Sequence, residues 1–141
     1  MFMGEFQHNV DARGRLFIPS KLKDGLGDRF YATKGLESCL WVFPPSEWET
    51  IGEKLRSLPL SSSAARAFTR LFFAGATECE VDAQGRILLP ANLREYAGIE
   101  KDVVIIGVTS RVEIWAPAKW AEYCQKAEES FEETAEKLLD F

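Results

Sequence analysis

The sequence predicts an α+β fold with short antiparallel strands, built from two copies of one small unit. Three observations carry this. Asp11-Ala12-Arg13-Gly14-Arg15-Leu16-Phe17-Ile18-Pro19 returns 71 positions later as Asp82-Ala83-Gln84-Gly85-Arg86-Ile87-Leu88-Leu89-Pro90. Ahead of each motif, apolar residues recur at every second position, the period of a half-buried strand. Between the copies they recur at steps of three and four, the period of a helix. The match extends beyond the motif: Leu22-Lys23 answers Leu93-Arg94, Gly27 answers Gly98, and the aromatic–proline ends Phe43–Trp48 and Trp115–Trp120 correspond. A unit of roughly 40 residues rarely buries enough apolar surface to fold alone. The copies must therefore share a core, or each must pair with another chain.

The elements follow in order. Phe6, His8 and Val10 alternate with Gln7 and Asn9, and Cys79 and Val81 alternate with Glu78 and Glu80, so each copy opens with a strand. Asp11 and Asp82 suit the first position of a type I turn, and Gly14 and Gly85 suit the left-handed position that follows, so each motif closes a hairpin. Leu16–Ile18 and Ile87–Leu89 are the return strands. Pro19 and Pro90 end them and suit the first position of a short helix. Phe30–Thr33 then pairs with Leu40–Phe43, and Val103–Val108 with Val112–Trp115. A helix is predicted near Glu47–Leu58, broken at Pro59. Another follows the Ser61-Ser62-Ser63 cap, with Ala64, Ala65, Phe68, Leu71 and Phe72 on one stripe. The division is a first repeat over 5–48, a helical connector over 49–75, a second repeat over 76–120 and an acidic C-terminal helix over 121–141.

Composition narrows the function. The 141 residues carry a net charge of −5, which argues against nucleic acid. Its distribution weakens that objection. Residues 122–141 account for the whole −5, and residues 1–34 sum to +2. The acidic tail reads as a solvated helix face. Its Trp120, Cys124, Ala127, Phe131, Thr134 and Leu138 form a seam that could pack on its own chain or on a neighbouring subunit, the neighbour being preferred. Cys39, Cys79 and Cys124 form no CxxC pair and read as small core residues, so neither a disulfide framework nor a zinc site is expected. The single histidine, His8, lacks a catalytic partner. Trp41, Trp48, Trp115 and Trp120 read as core or subunit contacts. No secretory signal or membrane span is expected, and the setting is cytoplasmic. No nucleophile–base pair or phosphate-binding loop is evident, so no enzyme activity, cofactor or metal is expected.

The turn arginines carry the functional signal. An arginine after an exposed turn glycine can direct its planar fork at a phosphate or a guanine edge. The first copy adds Arg13, Lys21 and Lys23. The second offers Gln84, Asn92 and Arg94. Spacing leaves a second role open: Arg15 and Arg86 could instead pair with Asp11 and Asp82 and brace the turns.

The paired Asp-x-x-Gly-Arg-x-x-x-Pro motifs, Phe72-Phe73-Ala74-Gly75-Ala76, Glu113-Ile114-Trp115, Trp120 and the opening Met1-Phe2-Met3-Gly4 resemble the MraZ family of bacterial transcriptional regulators, over residues 1 to about 125. The resemblance implies two tandem SpoVT–AbrB-like units forming a swapped-hairpin β-barrel with flanking helices. It also implies a homo-oligomeric ring with the hairpin tips along one face. The partner would be double-stranded promoter DNA, bound at direct repeats ahead of the division and cell-wall gene cluster, its own gene included, which places the protein on the nucleoid. Carried over, Arg13 and Arg15 would be the main DNA contacts, flanked by Lys21 and Lys23, with Arg86 and Arg94 secondary. Asp11, Gly14, Pro19, Asp82, Gly85 and Pro90 would shape the turns. The competing reading is a ring-forming protein-interaction scaffold in which the tail recruits a partner.

Overall fold

The computed structural model describes residues 1–140. The first repeat contributes β1 (Glu5–Asn9), β2 (Arg15–Phe17), α1 (Ser20–Leu26), β3 (Arg29–Lys34), β4 (Leu40–Phe43) and α2 (Pro45–Arg56). Helix α3 (Ser63–Ala74) follows. The second repeat then runs β5 (Thr77–Glu80), β6 (Arg86–Leu88), α4 (Ala91–Ala97), β7 (Asp102–Val108), β8 (Arg111–Trp115) and α5 (Pro117–Glu129), and α6 (Phe131–Leu139) ends the described chain.

The repeats exchange their first strands. β1 pairs with β7 of the second repeat, with Gln7 opposite Val104. β5 pairs with β3 of the first, with Phe30 opposite Cys79. The six-stranded antiparallel sheet has the order β1-β7-β8-β4-β3-β5, and β2 and β6 form a separate two-stranded ribbon. This corrects two expectations. Each hairpin closes only at its tip, where Asp11 N–H donates to the Arg15 carbonyl at 2.9 Å and Asp82 N–H to the Arg86 carbonyl at 2.8 Å; past the bridge Val10–Leu16 the return strand leaves its own first strand, and β2 pairs with β6 (Leu16 opposite Ile87). The barrel is not closed either. β1 and β5 are the two edges of an open sheet, and the three-residue strands β2 and β6 spend their hydrogen bonds on each other.

The exchange explains why two 40-residue units suffice. Leu16, Ile18 and Leu22 from one repeat and Ile87, Leu89 and Leu93 from the other are all buried in one core, with Phe30, Val103, Ile105 and Ile114. Residues at matching positions of the two copies thus meet, and neither copy keeps a core of its own. A smaller cluster of Cys39, Val104, Ile106 and Trp115 is covered by Trp41 and Trp120. Trp48 stacks between Tyr31 and Phe72, at ring distances of 5.1 and 5.7 Å, and so fastens α2 and α3 together.

Two local expectations also shift. Pro19 and Pro90 are N-caps with extended ψ of 136° and 153°, so α1 and α4 begin one residue later. The fixed proline φ suits that entry equally well. The acidic tail is not one helix. Ser130, at φ −119° and ψ 16°, separates α5 from α6 and breaks the continuous seam. Ser62 does cap α3 as expected, its hydroxyl accepting the Ala65 N–H at 3.1 Å.

Candidate nucleic-acid interface

Each repeated motif builds the same turn. The Asp11 carboxylate accepts the N–H groups of Arg13 and Arg15, both at 2.9 Å, and the Gly14 N–H returns to the Asp11 carbonyl at 3.0 Å. The Asp82 carboxylate accepts from Gln84 and Arg86, also at 2.9 Å, and Gly85 N–H returns to the Asp82 carbonyl at 3.0 Å. Gly14 and Gly85 stand at φ +82° and +80°, where a Cβ would be strained. The N–H donated by Arg15 or Arg86 is the main reason that Asp11 and Asp82 are held below the usual carboxylate range, since it favours the charged form.

The turns also hold each other. Leu89 N–H donates to the Gly14 carbonyl at 2.8 Å, and Ile18 N–H donates to the Gly85 carbonyl at 3.0 Å. With the β2–β6 ladder, these bonds bring both motifs into one composite tip. Leu16 and Ile87 face the core. By strand alternation Arg15, Phe17, Arg86 and Leu88 share the opposite face, where Phe17 and Leu88 are 44% and 60% exposed. These two apolar neighbours escaped the sequence reading, although the alternation with Leu16 and Ile87 signals them.

The two arginines are not equivalent. Arg86 lies 3.1 Å from the Asp82 carboxylate, 3.2 Å from the Gln84 amide oxygen and 3.8 Å from Asp11 of the other turn. It takes the bracing role and ties the two turns together. Arg15 makes no side-chain hydrogen bond or ion pair among the described residues, and Arg13 is exposed and equally unpaired. The difference follows from Gln84 in place of Arg13: the amide oxygen accepts from Arg86, whereas a second guanidinium offers Arg15 no acceptor.

Lys21 is exposed on α1, and Lys23 sits 3.8 Å from Asp28. Arg94 is turned inward. Its Nε donates to the Leu89 carbonyl at 2.9 Å, and its guanidinium packs under Gly14. It supports the first turn from the second repeat, so among the described residues Arg13 and Arg15 on the turn and Lys21 on α1 are the motif's cations without an ion pair. Glu80 flanks the tip together with Asp82, which keeps the site from being uniformly positive.

These features define a class: a duplicated α+β protein that presents one composite, arginine-bearing turn region held from beneath by backbone hydrogen bonds. Residues 1–71 and 72–141 each match the family described as "MraZ protein, putative antitoxin-like". Among similar proteins, each named "Transcriptional regulator MraZ", that of Symbiobacterium thermophilum is 69% identical over 96% of this chain and 99% of its own. Those of Heliobacterium modesticaldum and Natranaerobius thermophilus are 60% and 58% identical over all of this chain and 99% of theirs. The chain belongs to the MraZ family. The solution structure of PHS018 from Pyrococcus horikoshii overlays at a TM-score of only 0.33 with 16% identity, over 81% of this chain and 88% of that one, too remote to bear on the fold.

Proposed function

We propose that this chain is a transcriptional regulator that binds double-stranded promoter DNA through the composite tip and does so as a homo-oligomeric ring. The observation that carries the reading is the pair of unpaired guanidiniums, Arg13 and Arg15, on a turn whose own acidic residue is already engaged by backbone N–H groups. The names of the relatives point the same way. Arg13 and Arg15 make the principal contacts, Lys21 and Lys23 flank them on the backbone, and Arg86 acts mainly by setting the turn. Arg94 acts from underneath. No catalytic step, cofactor or metal is part of this reading, and the protein works in the cytoplasm, on the nucleoid.

A few cations per chain bind DNA weakly. A ring presenting the same tip several times to direct repeats raises the effective affinity through multivalency. Tips reading one DNA face require repeats about one helical turn apart, near ~10 base pairs. The DNA upstream of the protein's own gene, ahead of the division and cell-wall gene cluster, is the proposed target.

The test is binding to that DNA across a salt series for the wild type and for Arg13→Ala and Arg15→Ala. Each variant is expected to weaken binding, and each lost phosphate contact lowers the salt slope by about 1. Unchanged affinity and slope in both variants, with the oligomer intact, would remove the basis for the tip as the DNA contact. Equal binding when repeats are respaced by half a turn would count against the ring on one DNA face.

A further inference from the structure

Helices α2 and α3 enclose a groove that no described part of the chain fills. Leu55, Leu58, Pro59, Leu60, Ala65 and Phe73 line a cavity of about 490 Å³, and Leu60 is 86% exposed. Its rim is cationic. Arg56, Arg66 and Arg70 all line it, and none forms an ion pair among the described residues. Arg66 donates to the Leu60 carbonyl at 2.7 Å, which holds its guanidinium at the lip. Glu49 lines the adjoining cleft by Trp48.

The complementary surface is on the same chain. Helix α6 carries Phe131, Ala135 and Leu138 at steps of four and three, one stripe of a helix, with Phe131 70% and Leu138 77% exposed. Glu132 and Glu136 flank that stripe on one side, Glu128 and Glu129 at the end of α5 lie beside Phe131, and among the described residues none of these four forms an ion pair, whereas Glu133 on the far face pairs with Lys137 at 3.4 Å. An amphipathic helix with anchors at this spacing is the usual occupant of an apolar groove. The helix is acidic and the groove's rim is basic.

Position argues for a second copy. Helix α5 packs on β7, near the β1 edge of the sheet, whereas α2 and α3 pack on β3, near the β5 edge. Six residues, 57–62, let α3 fold back on α2, but the single residue Ser130 joins α6 to α5 and leaves no such return. We propose that the α2–α3 groove is the docking site for helix α6 of a second copy of this chain. Donor and acceptor are different surfaces, so the contact is head-to-tail. Such contacts close into a ring when the rotation permits. This inference rests on the self-association part of the proposed function and on none of its DNA part.

The test uses two full-length charge reversals: Arg66→Glu with Arg70→Glu in the groove, and Glu132→Arg with Glu136→Arg on α6. Mass is measured by light scattering at equal concentration, with circular dichroism melts to check that both fold. Each variant alone is expected to fall from the oligomer toward the 15.9 kDa of one chain. Mixing the two restores both signs of the contact in alternation, and so restores the oligomer. A mixture that stays dissociated, or single variants that keep the wild-type mass, overturns the docking. In the second case the ring itself survives and uses another face. A wild-type chain that runs as a monomer overturns both the ring and the docking. Single variants that keep the mass yet lose binding to an acidic helical peptide of another protein would assign the groove to that partner and also overturn the proposal.

Discussion

The turn glycines offer a sharp test, because the sequence makes them equivalents and the structure does not. Alanine at Gly14 or Gly85 forces a left-handed backbone on an L residue, at about 1–2 kcal/mol in either turn. The surroundings then differ. At Gly14 the new Cβ would stand 3.1 Å from the Leu89 carbonyl oxygen and 3.2 Å from an Arg94 guanidinium nitrogen. That carbonyl is backbone and accepts from Arg94, and Leu89 N–H donates back to Gly14. Moving it weakens a neutral and a charge-assisted hydrogen bond together, a further cost of about 1–2 kcal/mol. At Gly85 the nearest atom is the ring edge of Phe17, 3.1 Å away on a side chain 44% exposed that can rotate aside. Gly14→Ala should therefore cost about 2–4 kcal/mol and Gly85→Ala about 1–2 kcal/mol. For a domain of this size the melting temperatures should fall by about 10 °C and about 5 °C respectively. Urea unfolding followed by circular dichroism measures both. Equal losses, or a larger loss at Gly85, would refute the claim that the second repeat braces the first turn through Leu89 and Arg94.

Three further outcomes are expected. Arg86→Ala should lower the melting temperature, because it unties the two turns, whereas Arg15→Ala should leave it within about 2 °C; calorimetry of the two variants decides this. Asp11 and Asp82 have folded values below their unfolded ones, so their contribution is present above the ordinary carboxylate range and is lost as pH falls through the lowered folded values. Urea melts from pH 7 down to pH 3 should show less acid sensitivity in Asp11→Asn than in the wild type. Burial pushes the Cys39 and Cys79 thiols up to about 12, while Cys124 is only partly buried. A thiol reagent at pH 8 should modify Cys124 first, and the other two only on unfolding. Three equally fast thiols in the native protein would contradict the burial.

Much of the local structure was legible because it depends on neighbours in sequence. The Asp-x-x-Gly turn, the serine cap at Ser62 and the alternation at Phe6–Val10 are set by contacts within a few residues, and each forms as the pattern predicts. The local hairpins β3–β4 and β7–β8 pair as the pattern predicts, but the partners of the first and return strands of each repeat were not legible. Leu16–Ile18 could pair with the strand before its turn or with its own copy from 71 residues away, and both satisfy the same alternation. The choice follows from burial: only exchange between the repeats encloses the apolar faces of both.

Arginine roles divide along the same line. Arg13, Arg15, Arg86 and Arg94 carry one charge and one geometry, and sequence placed them all near the turns. Whether a guanidinium is free depends on acceptors brought from elsewhere in the chain. Asp11 of the opposite turn reaches Arg86, and the Leu89 carbonyl reaches Arg94, while among the described residues no acceptor comes within ion-pair or hydrogen-bond distance of the Arg13 or Arg15 guanidinium. The sequence by itself determined a duplicated α+β unit, its turns and the residue types at their tips, since those follow from short-range backbone chemistry. Tertiary structure alone decided that the two turns merge into one site, which cations remain available there, and that the sheet stays open. Those outcomes rest on long-range pairing, where a hydrogen-bond donor or carboxylate can satisfy only the groups that folding brings within reach.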